Sequence, residues 1–246
     1  MRALGMDEPR ARLNGPDTLR GVAITAMIAY HLMFDLWFLK IAEFDLMSLP
    51  LSIFQHSIGT LFLLLVGISL TLSESRNREG YMHHVKRAAY LGAVALSITL
   101  ATWVYPHEAM ITFGIIHCIA LSVLLAPLFI GLGRLNILLG LLLIAAGLFV
   151  QDIRTDSPYL FWLGITTPDY TALDFYPIIP WLGVVLIGVA AGQMIYPEGR
   201  GLDARRETRL SRALAWAGRH SLAIYLIHQP VLMGILLAYK TFVLGG

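Results

Sequence analysis

Apolar positions run along this 246-residue chain in seven long stretches separated by polar segments. They cover residues 19–39, 56–72, 88–104, 111–130, 135–150, 176–195 and 220–239. A helix needs roughly 20 mainly apolar residues to cross a bilayer. The pattern therefore predicts an all-α, polytopic membrane bundle of seven transmembrane helices, of which the third and fifth are the weakest, each short and followed by an ambiguous turn. A polar tail, residues 1–16, precedes a single transmembrane domain over 17–246. The tail, MRALGMDEPRARLNGPD up to its capping residue, holds two prolines, so it stays irregular until Asp17 or Thr18 caps the first helix. Between the sixth and seventh stretches, PEGRGLDARRETRLSRALAWAGR reads as a polar turn followed by a short basic amphipathic helix lying at headgroup level.

Composition strengthens the membrane reading. The chain is 57% hydrophobic and 14% charged, with a mean hydropathy of +0.69, outside the range of a soluble globular domain. Its basic residues fall on alternate loops. One side holds Arg2, Arg10, Arg12, Arg20, Arg76, Arg78, Lys86, Arg87, Arg134, Arg200, Arg205, Arg206, Arg209, Arg212 and Arg219; the other holds only Lys40, Arg154 and Lys240. Positive residues collect on the cytoplasmic side. This bias predicts an odd number of spans, with the N-terminus cytoplasmic and the C-terminus outside, in the cell membrane of a prokaryote. The formal charge of +2 belongs to these retention loops beside anionic lipid, and nucleic acid is not an expected partner. The one cysteine, Cys118, lies inside a span, which excludes an internal disulfide and the cysteine-rich metal patterns. The first helix carries His31 and Asp35 and has no small-residue cleavage pattern after it, so it reads as a retained helix and not a cleaved signal.

Ionisable groups at bilayer depth are costly and tend to face a bundle interior, so the chemistry is sought among them. His31 and Asp35 stand four residues apart on one helical face, where the carboxylate can orient the imidazole. Arg20 lies eleven residues before His31, roughly 16 Å along the axis, a separation that suits a long ligand reaching from the surface to mid-membrane. His117 and His228 sit in later spans, and His56 opens the second. Three histidines without local ligand spacing do not make a metal motif, and no metal is assigned. Asn136 and Gln193 read as helix-bridging groups. Asp174, Pro177, Pro180 and Trp181 stand where the sixth helix begins, and the proline pair there explains a shaped entrance. The outward segment 151–175 mixes Asp152, Asp156 and Asp169 with Tyr159, Phe161, Trp162 and Tyr170; it reads as an aromatic interfacial loop or as a cover for an outward pocket.

The runs DTLRGVAITAMIAYHLMFDL, TLFLLLVGISLTLS, FGIIHCIALS, LDFYPIIPWLG and SLAIYLIHQP, in that order, resemble the heparan-alpha-glucosaminide N-acetyltransferase catalytic family, in its small prokaryotic DUF1624 branch within the transmembrane acyltransferase group. The resemblance extends from about residue 17 to residue 230. It implies an acyl-CoA-dependent acyltransferase, with acetyl-CoA as donor and a small-molecule or glycan amine or hydroxyl as acceptor on the outer face. It also implies a homodimer. The Arg20-to-His31 spacing is similar to the basic-residue, ten-residue gap and histidine motif of membrane sugar O-acyltransferases. On this resemblance Arg20 attends the cofactor and His31 is catalytic, and the pattern of the residues themselves adds Asp35 as a catalytic group and the following assignments. Asp17, Arg20, Arg87, Arg134 and His117 attend the cofactor, and His56, Asp174, Trp181, His228 and Gln229 hold the acceptor. In the lysosomal enzyme the proposed acetyl-accepting histidine lies beyond the first helix; residues 40–55 here contain none, and His56 is the next. A heparan substrate is therefore not expected. Three rival readings stand beside the enzyme. One is a proton-coupled solute transporter using His31, Asp35, His117 and His228. Another, a retinal photoreceptor, is opposed by the lack of a mid-span lysine in the last helix, and a third, a purely structural membrane partner, leaves the buried ionisable groups without a use.

Overall fold

The computed structural model describes residues 14–46, 48–75, 80–104, 110–197 and 208–244. The arginines predicted at positions 2, 10, 12, 76, 78, 200, 205 and 206 lie outside the described residues. Helices make up the described chain: α1 (Asn14–Phe38), α2 (Leu49–Glu74), α3 (Tyr81–Val104), α4 (Ile115–Leu125), α5 (Leu135–Val150), α6 (Ile178–Ile195), α7 (Arg209–Arg219) and α8 (Ser221–Val243). A 3-10 segment, Ala126–Leu132, continues α4, and Gly133 ends it at φ 58°, a left-handed turn that glycine adopts without a Cβ clash.

The expectation of seven spans is corrected. Among the described residues six helices are long and apolar enough to cross a membrane: α1, α2, α3, α4 with its 3-10 continuation, α6 and α8. The fifth predicted stretch forms α5 with the expected bounds, yet its 16 residues rise only about 24 Å at 1.5 Å each, against a hydrocarbon core of about 30 Å. The odd count, and the placement of the two termini argued from it, are not carried by the six. The chain remains an all-α, multi-pass membrane protein.

Two compact units divide the chain: Met1–Leu46 with Arg200–Gly246, and Met47–Gly199. In the first, α1, α7 and α8 associate. Asp17 lies in the first turn of α1, where a carboxylate complements the helix dipole. Thr208 caps α7 by accepting from the Ser211 N–H at 3.1 Å. α7 packs on α1 with their backbones almost touching: a Cβ at Gly21 would stand 1.9 Å from the Leu214 carbonyl oxygen, and one at Gly218 would stand 1.8 Å from that of Asp17. α8 runs beside α1 in the same direction, with His31 near His228 and the Leu39 carbonyl accepting from Lys240 Nζ at 3.1 Å.

In the second unit α6 is central, packed against α2 and α5, while α3 packs on α4. Small residues again set the spacing. A Cβ at Gly67 would meet the Val185 carbonyl oxygen at 2.0 Å, and one at Gly188 would meet that of Leu64 at 2.2 Å. Without a hydrophobic driving force between helices in lipid, such close packing and cross-helix hydrogen bonds hold the unit. Thr71 Oγ1 supplies one, donating to the Val189 carbonyl at 3.0 Å.

Candidate functional site

His31 sits on the α1 face turned to α8. Its Nδ1 donates to the Met27 carbonyl at 2.9 Å, one turn back, so in the neutral ring Nε2 keeps a lone pair. His228 of α8 lies against it, ring centroids 4.7 Å apart and nearly perpendicular. The His228 Nδ1 donates to the Tyr225 carbonyl at 2.6 Å, and its Nε2 is buried without a partner. Pro230 follows two residues later inside α8. It has no N–H for the Leu226 carbonyl and loosens the helix at the site.

Asp35 is fully buried and does not bond His31. Its Oδ1 accepts from Gln229 Nε2 at 2.6 Å, while Asp35 Oδ2 and Gln229 Oε1 are buried and unpartnered. Four of the predicted residues, His31, Asp35, His228 and Gln229, thus meet in one cluster. Three open acceptor atoms remain there: a carboxylate oxygen, an amide oxygen and an imidazole nitrogen. Buried polar atoms in folded proteins are nearly always paired, with protein groups or with ordered water. Inter-helix pairing of Asp35 with Gln229 was not visible in the sequence, because the i,i+4 spacing pointed only along α1.

At the start of α1, Arg20 donates to Asp17 Oδ1 at 2.6 Å, holding its guanidinium close to the helix end. The other predicted residues lie in the second unit. His117 has both ring nitrogens engaged. Its Nδ1 accepts from the Gly114 N–H at 3.2 Å, which leaves Nε2 protonated in the neutral ring and donating to Thr99 Oγ1 at 3.1 Å; that hydroxyl passes its own proton to the Ile111 carbonyl at 2.8 Å. The geometry is that of a cap for the start of α4. Asp174 joins it there, its Oδ2 accepting from the Ile115 N–H at 2.8 Å. Its carboxyl is enclosed although the residue keeps some exposed surface. Burial pushes it up to about 6, and the Ile115 N–H opposes that shift. Gly114 has no side chain with which to cap α4 itself, and these two residues, one of them 59 positions from the N–H it meets, take that part.

His56 and Trp181 come together, rings 6.4 Å apart and nearly parallel, and the Tyr176 ring lies 4.7 Å from the indole at a tilt of 41°. His56 is exposed, on an open concavity of about 530 Å³ lined by α2 residues such as Ser52, Ser57 and Thr60. Arg134 is exposed at the start of α5, and Arg87 is half-buried on α3. Among the described residues no cluster of three metal-binding side chains is present.

Residues 12–230 match the family model described as heparan-alpha-glucosaminide N-acetyltransferase, catalytic. The chain belongs to this family. The match covers every predicted site residue, from Asp17 to Gln229, and supports an acyltransferase-like function for a chain with a buried histidine beside other polar groups. It carries the N-acetyltransferase family and no particular branch of it. No curated protein matches the chain. No solved structure matches it.

Proposed function

We propose that the chain is an integral-membrane acyltransferase that moves an acyl group, acetyl first, from acyl-CoA to an amine or hydroxyl acceptor such as a sugar or glycoconjugate. The supporting observation is the cluster at His31: a histidine with Nδ1 anchored on a backbone carbonyl, set beside three buried acceptor atoms without donors. Anchoring Nδ1 aims the Nε2 lone pair as a base. Asp35, Gln229 and His228 receive the donors of the acceptor and hold its nucleophilic atom. His31 takes one proton from that nitrogen or oxygen as it bonds to the thioester carbonyl carbon. The carbon–sulfur bond then breaks, and His31 returns the proton to the departing thiolate. Direct transfer of this kind needs no covalent acyl-histidine. Arg20, steadied by Asp17, stands roughly 16 Å up the helix from His31 and suits the phosphorylated end of a long donor.

The test is binding and turnover in nanodiscs. Acetyl-CoA and desulfo-CoA should bind the wild type saturably. Arg20→Ala should weaken that binding, whereas His31→Ala should keep it and lose turnover by roughly 10²- to 10⁴-fold, the range for a general base. If folded protein binds neither ligand and instead drives solute flux with a proton gradient, the acyltransferase reading fails.

A further inference from the structure

α7 carries more positive charge than its packing uses. It meets α1 through Gly218 and the Leu214 carbonyl, backbone contacts that involve no arginine. The side chains of Arg209, Arg212 and Arg219 make no hydrogen bond or ion pair among the described residues. Asp17, the acidic residue in the first turn of α1, is already held by Arg20.

Two of these arginines converge. Arg212 and Arg219, seven residues apart and so on one face, line a groove of about 200 Å³ with Asn14, Thr18, Ser211 and Ala215. The hydroxyls in its walls are committed: Thr18 Oγ1 donates to the Asn14 carbonyl at 2.8 Å, and Ser211 Oγ donates to the Thr208 carbonyl at 3.0 Å. The guanidiniums are the open donors, no carboxylate lines the groove, and an arginine fork matches phosphate oxygens in pairs. Trp216 lies four residues after Arg212 and three before Arg219 on the same side of the helix, 56% exposed. An exposed indole beside basic residues is the pattern of a membrane–water boundary.

We propose that this groove seats the phosphate of an anionic phospholipid headgroup, with Trp216 at the boundary beside it. A coenzyme is a poor occupant. Pockets for such molecules start at roughly 300 Å³, and the lining offers no aromatic ring for a purine, Ala215 being its one apolar residue.

The experiment is native mass spectrometry of the full chain in detergent, titrated with dioctanoyl phosphatidylglycerol or dioctanoyl phosphatidylcholine. The wild type should prefer the anionic lipid roughly 30-fold, the effect of two arginines at a lipid surface. Arg212→Gln with Arg219→Gln should erase the preference, the single Arg219→Gln should remove about fivefold of it, and Arg209→Gln, outside the groove, should change it less than about twofold. Folding of each variant is read from the protection of Cys118, buried and the one cysteine of the chain. If the double variant does not fold, the single one decides. No headgroup preference in the wild type overturns the proposal, as does an equal loss with Arg209→Gln, which would mean diffuse charge. Displacement of the lipid by CoA but not by dephospho-CoA also overturns it, assigning the groove to the donor.

Discussion

Asp35 and Gln229 share one hydrogen bond of 2.6 Å between α1 and α8, and that bond decides which atoms of the site stay open. With the amide donating to Oδ1, both remaining oxygens are acceptors and must draw their partners from a ligand or water. Asp35→Asn should therefore raise the acceptor KM roughly 10- to 100-fold, the worth of a charged hydrogen bond, and leave donor binding near the wild-type value. An equal loss of donor affinity in steady-state and binding assays would remove Asp35 from the acceptor side. The sequence made His31 and Asp35 conspicuous because charge and imidazole at bilayer depth are expensive. It could not rank Met27, whose carbonyl holds His31, since every helical residue offers a carbonyl. Nor could it separate His117 and Asp174 as caps from ligand-binding groups, because the distinction lies in which backbone N–H each one meets.

Asp174 also gives a pH prediction. Its carboxyl is raised from 3.8 to about 6 by burial, so ionising it costs more in the fold than in the unfolded chain. Its contribution favours the folded state below about pH 4 and fades as the pH rises through about 6. Asp174→Asn keeps an oxygen facing the Ile115 N–H. It should flatten that part of the stability profile between pH 4 and 6, read by labelling Cys118 during thermal unfolding. A variant whose profile still falls like the wild type would place the titration elsewhere.

At the scale of elements, periodicity and apolar length were legible, and packing distance was not. The fifth apolar stretch became a helix with its expected bounds, yet its length leaves it short of a full crossing. The first three helices extend beyond their apolar stretches at one or both ends, because flanking residues, apolar in LPLSIFQ of α2 and more polar in YMHHVKR of α3, continue a helix once its apolar part has formed. The amphipathic α7 was readable from its alternating arginines and apolar residues, whereas its contact with α1 was not. That contact depends on two glycines on different helices. Gly218→Ala would put a methyl 1.8 Å from the Asp17 carbonyl oxygen, and a backbone atom cannot swing away as a side chain can. It should destabilise the chain by roughly 1–3 kcal/mol or more. Gly92→Ala, where a Cβ meets nothing within 4 Å, is the matched control. Equal thermal stability of the two variants would show that α7 yields freely.

For the molecule as a whole, the family match extends over residues 12–230 and so takes in most of both compact units. Within the unit of α1, α7 and α8, the close backbone approaches at Gly21 and Gly218 set α7 against α1 at a spacing that a residue with a Cβ would not allow. α7 and the start of the first span therefore pack as one bracket. If α7 rests among the headgroups, as its basic, amphipathic sequence leads us to propose, then His31 on the same unit sits at a depth set by α7, and a thicker or thinner bilayer would shift the lipid around the site and not the site beneath its own surface helix.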